Sequence, residues 1–235
     1  LPYYWFRELA KTETPDPEEV SGAFAVGRGP DDEDDLWYVL SKAWDPAFEH
    51  ALVDRILEGH AEPRVRRAAL TCLAERTPER LPAICQDLAA RGQEGRLVEI
   101  AIELGELRHK RSDFDGSRHG EAADQTAALL PALLKSVSDA AFALEAKETP
   151  ALSDDARALL ARVAPPSEEV RLFRASLDEH LPMFVPDDVR WLLANTEDAR
   201  NAGVAIGAAI RHGMTAEIEA GLAQRCADVA AGSLK

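Results

Sequence analysis

A chain of 235 residues, 46% hydrophobic and only 6% aromatic, holds enough apolar material for one large domain or two small ones. A formal net charge of -15 opposes approach to a phosphate backbone, because nucleic-acid binders neutralise phosphates with clustered Lys and Arg. Alanine and leucine dominate and β-branched runs are scarce, a balance that predicts helices rather than strands.

The chain opens Leu1-Pro-Tyr-Tyr-Trp-Phe6 without an initiator Met and reads as a piece of a longer polypeptide. Residues 1–11 predict a short aromatic helix with Tyr4, Trp5 and Leu9 turned to a partner surface. Residues 12–35 are rich in Pro, Gly and acid, and Gly27 to Asp35 is the best linker candidate. The expected organisation is therefore an aromatic helix and acidic linker over 1–35, then one helical array over 36–235.

Trp37, Leu40 and Trp44 fall on one side of the next predicted helix, and Phe48, Leu52, Ile56 and Leu57 line the one after it. Glu62-Pro63 then opens the most informative helix. Proline is tolerated in a first turn because its missing N–H would have had no partner there. Val65, Ala68, Ala69, Cys72 and Leu73 recur at helical spacing and form a stripe of mostly small residues, which lets a second helix come close. Arg64 and Arg67 leave that stripe, toward solvent or an acidic neighbour. Thr77-Pro78 ends the helix and opens the next, which runs to Arg91-Gly92.

The stretch Leu97 to Leu104 is apolar nearly all round, as in a central helix covered on several sides. A buried strand is the alternative, but Glu99, Glu103 and Glu106 share an edge at helical spacing. Near 109–120 the pattern lapses, which predicts a loop inserted into the array. Leu130, Leu133, Leu134, Val137, Ala141 and Leu144 give 121–147 a strong stripe, which Pro131 must kink or divide. Shorter helices follow Ser153, Ser167 and Pro186, each opened by an acidic pair. The last two run from about Glu197 to His212 and from Thr215 to Ala230, with Gly213 as a C-cap between them.

The order Glu62-Pro63, Val65-Arg66, Ala68-Ala69, Leu73 resembles the second helix of a HEAT-type repeat, and Glu197 to Ile206 is a weaker echo. The resemblance implies an all-α fold, an irregular α-solenoid of stacked antiparallel helix pairs. Such arrays offer extended surfaces to partners.

The one concentrated basic patch is Arg108-His109-Lys110-Arg111 with Arg118 and His119 nearby, suited to an acidic segment or a phosphate. Together with Trp5, Arg64 and Arg67, the residues Arg108, Lys110, Arg111 and Arg118 are the candidate partner-binding set. Asp113, Asp115 and His119 are metal-capable, but a calcium loop needs more oxygen ligands and a zinc site more closed ligation than they offer. Neither Gly-x-Ser-x-Gly nor His-Glu-x-x-His occurs, and Gly27-x-Gly29 lacks the Gly-Lys-Ser/Thr of a phosphate loop. Gly203-x-x-x-Gly207 suggests a close helix crossing. No segment is long and apolar enough to span a membrane, and the N-terminus carries no signal-peptide pattern. Three isolated cysteines, Cys72, Cys85 and Cys226, predict reduced, core-packed thiols and a cytoplasmic location.

These readings converge on a scaffold that binds a protein partner, with no enzyme activity, cofactor or metal. One alternative is the sensor arm of a larger signalling protein of the STAND type, in which helical arrays follow an NTPase domain. HEAT-like enzymes form a third class, the bilin lyase subunits and the DNA glycosylases that remove alkylated bases. The glycosylases use a basic concave face, from which this acidic chain departs.

Overall fold

A computed structural model describes Val53, Leu57 and residues 63–109, 116–164, 166–196 and 198–230. Among these residues the protein is all-helical, with no strand. The chain divides into two compact units, Leu1–Ala146 and Lys147–Lys235.

The first unit contains α1 (Pro63–Arg76), a 3-10 turn (Pro78–Arg80), α2 (Leu81–Ala90), α3 (Glu94–His109), α4 (Gly116–Ala127) and α5 (Ala132–Glu145). The helix α3 is its centre and packs against α1, α2, α4 and α5. Its residues Leu97, Val98, Ile100, Ala101, Ile102, Leu104 and Leu107 are all buried, which explains why the sequence there is apolar on every side. Each large side chain of that set contributes about 1.5–3 kcal/mol relative to exposure. The predicted small-residue stripe of α1 lies in the same core: Ala69, Cys72 and Leu73 are buried, joined by Leu70 and Ala74. Val53 and Leu57 are buried as well. The predicted aromatic helix, the linker and the Trp37 and Trp44 positions lie outside the described residues.

Two breaks have clear local causes. After α2, Gly92 takes a φ of +70°, a left-handed conformation that costs glycine nothing. Its N–H donates to Ala89 O at 3.0 Å and that of Gln93 to Leu88 O at 2.9 Å, the paired bonds of a Schellman end. At 131, proline divides rather than kinks the long pattern: α4 ends at Ala127, and Pro131 is the residue from which α5 starts. Within the loop expected near 109–120, α4 already begins at Gly116, and residues 110–115 lie outside the described residues. The two glycines of Gly116-Ser-Arg-His-Gly120 hid that helical turn from a propensity reading. Contact of α4 with α1 and α3 supplies what local propensity does not.

The second unit contains α6 (Asp154–Arg162), α7 (Glu168–Leu177), α8 (Pro186–Asn195), α9 (Ala199–Arg211) and α10 (Thr215–Ala230). Lys147, a non-glycine residue with a φ of 58°, follows the C-cap of α5 and marks the boundary. The acidic starts behave as predicted. Ser153 accepts from Ala156 N at 3.3 Å, Ser167 from Val170 N at 3.4 Å and Asp198 from Asn201 N at 3.0 Å, each satisfying an orphan donor of a first turn. Gly213, with a φ of +69°, ends α9 through the same paired bonds seen after α2: its N–H donates to Ile210 O and that of Met214 to Ala209 O. The core of this unit gathers Ala175, Val189, Leu192, Leu193, Ala205, Ala208, Ala209 and Met214, with Trp191, Phe184 and Ile218 packed against it.

Gly203 and Gly207 do not mark a close crossing. A side chain added at Gly203 would meet nothing within 4 Å, and at Gly207 only the guanidinium of Arg211 at 3.6 Å. The tight approaches occur at other glycines, Gly105 on α3 and Gly221 on α10, the latter against Leu193.

Candidate functional site

Among the described residues, buried and part-buried arginines tie helices together. Arg66 crosses from α1 to α3. Its Nε donates to Glu103 Oε1 at 2.8 Å, its Nη2 lies 2.6 Å from the same oxygen, and its Nη1 lies 3.2 Å from Glu99 Oε2. Arg96 donates to that Glu99 oxygen at 2.8 Å. Two cations therefore face two carboxylates, and the cluster is buried, with Arg66 2% and Glu103 1% exposed. A buried charge is tolerated only when so compensated. Glu99 and Glu103 are the predicted edge of α3, yet that edge looks inward onto α1. The sequence places Arg66 in the HEAT-like pattern but does not mark it as a buried ion-pair partner. The signal that could have marked it is a pair of glutamates four residues apart inside an otherwise apolar helix, since such a pair needs a buried cation.

The candidate partner-binding residues fall into three groups. Arg67 donates to Glu106 on α3 at 2.9 Å, so the acidic-neighbour reading holds for it. Arg108 is the clamp of α3, α4 and α5: it donates to Asp124 at 2.8 Å and to Asp139 at 2.8 Å, and its guanidinium lies 4.9 Å from the centre of the Phe142 ring. Arg64 and Arg118 lie on α1 and α4, but their side chains lie outside the described residues, as do Trp5, Lys110 and Arg111. The described bonds of Arg108 fold that residue back onto its own unit.

The Arg108 clamp has a pH signature. Burial pushes the Asp139 carboxyl up, but hydrogen bonds and charge from Lys135 and Arg108 outweigh that and hold it below its ordinary value. A depressed folded pKa gives stability that is complete above the unfolded value of about 3.9 and is lost as pH falls through the folded one. Asp139 is partly exposed, so the effect is less than roughly 1 kcal/mol. Asp139→Asn is expected to lower the melting temperature slightly at pH 7 and to flatten its decline below about pH 4. Equal acid slopes for variant and wild type would show that the clamp contributes nothing to acid sensitivity.

In the second unit Asp188 takes the place of Glu103. Arg171 and Arg174 stand one turn apart on α7 and both donate to it, at 2.8 Å and 2.9 Å. Arg174, itself buried, also donates to the carbonyls of Leu160 and, at 3.2 Å, Val163, which close the C-terminal end of α6. Arg171 spreads over Trp191, with 4.9 Å from its guanidinium carbon to the ring centre. Trp191 is partly buried and packs against the core of this unit. At the far end of α9, His212 Nε2 lies 2.7 Å from Asp178 Oδ2, and its ring stacks on Phe184 with 3.5 Å between centres. Arg211 beside it donates to Ala175 O at 3.2 Å. A His–Asp pair alone has no nucleophile to activate, and here it pins the end of α9 to α7.

The side chain of Cys226 lies outside the described residues. Cys72 and Cys85 are buried, and burial pushes the Cys85 thiol up to about 11. Iodoacetamide at pH 8 is expected to leave both unmodified in the folded chain and to modify both in guanidinium, read by peptide mass mapping. Rapid labelling of either in the folded protein would contradict its packing. Among the described residues no three His, Cys, Asp or Glu side chains converge as metal ligands would. Asp113 and Asp115, and the side chain of His119, lie outside that set. No helix among the described residues is long and apolar enough to cross a membrane.

Three large apolar side chains are also exposed among the described residues. Ile210 on α9 is 66% exposed and Leu222 on α10 is 52% exposed, while Leu129 projects from the turn after α4. On α9 the exposed Gly203 and Ile210 lie opposite the buried face formed by Ala205, Ala208 and Ala209, while Ile206 is partly buried and packs against the core. Sequence reasoning missed Ile210 and Leu222, because each stands beside residues that point inward and only the packing separates them.

No protein-family model matches the chain, and neither a curated protein nor a solved structure matches it.

Proposed function

We propose that this chain is a protein-binding scaffold, an irregular HEAT-like helical array whose second unit presents an apolar surface to a protein partner. The observation that carries the reading is the exposure of Ile210 and Leu222 on adjacent helices of a unit whose other described large apolar side chains are buried or partly buried. Exposed side chains of that size have a cost in water that a partner surface removes. The charges of Arg66, Arg67, Arg108, Arg171 and Arg174 support the same reading, since their described bonds serve helix packing.

The test uses the whole chain as bait. Ile210→Asp combined with Leu222→Asp is expected to leave the melting temperature within about 2 °C of wild type, because surface substitutions change stability by only about 0.5 kcal/mol. The same variant is expected to lose the proteins that wild type retains. A second bait carries Lys110→Glu and Arg111→Glu. Loss on the first bait alone supports the apolar surface; loss on the second alone moves the contact to the basic segment. Equal recovery on all three baits would overturn both placements.

A further inference from the structure

We draw no further inference here: the strongest candidate, the exposed apolar patch around Ile210 on α9, belongs to the surface already described, and nothing in the structure shows what covers it.

Discussion

Glu103→Ala is expected to cost about 3–5 kcal/mol, enough to unfold a marginal unit at physiological temperature. Glu103 is almost fully buried and accepts from both Nε and Nη2 of Arg66. Removing it leaves a guanidinium that water cannot reach and that Glu99 must share with Arg96. The loss therefore comes from the cation left behind more than from the bond removed. A control separates the two. Arg66→Met together with Glu103→Leu removes one charge of each sign and leaves the Arg96–Glu99 pair intact at 2.8 Å. That double variant is expected to recover more than half of the loss, measured by urea unfolding of the full chain. A double variant no more stable than Glu103→Ala would mean that the site depends on the ion pair itself.

Gly105→Ala is expected to destabilise the first unit by about 3 kcal/mol, although alanine is the better helix former by roughly 1 kcal/mol. The added carbon would lie 2.4 Å from the Ser138 carbonyl oxygen, 2.6 Å from Ala141 Cβ and 3.0 Å from the Phe142 nitrogen. None of these atoms can rotate away, so α3 and α5 must move apart along the best-packed face of the central helix. Gly203→Ala serves as the comparison, because nothing lies within 4 Å of the new carbon. There the propensity gain stands alone, and the variant is expected to be more stable by about 0.5–1 kcal/mol. The same substitution thus has opposite signs at two helical glycines of one chain. Thermal melts that moved in the same direction would refute the close approach of α3 and α5.

Those two glycines also show how far the sequence could be read. Helix ends were legible wherever the cause is local. Pro78, Gly92, Pro131, Ser153, Ser167 and Gly213 act through their own backbone or their own first turn, and the helices break or begin beside them. The central place of α3 was legible too, because burial on every side writes itself as a run of apolar residues. What depends on a distant neighbour was not legible. Gly105 and Gly203 look alike in sequence, and only the position of α5 distinguishes them. Arg64, Arg66 and Arg67 look alike as well, yet Arg66 is buried because two glutamates 33 and 37 positions onward in α3 face it.

The hold of Arg174 on the last carbonyls of α6 has a consequence for how the second unit loses its structure. A helix of nine residues is too short to persist alone in water, and its ends would ordinarily fray one hydrogen bond at a time. Here the acceptors at its C-terminal end are held by a side chain rooted in α7, whose remaining grip is on Asp188 in the first turn of α8. The end of α6 therefore has no melting of its own. It opens only when α7 and α8 part, so three short helices behave as one cooperative element with a single threshold.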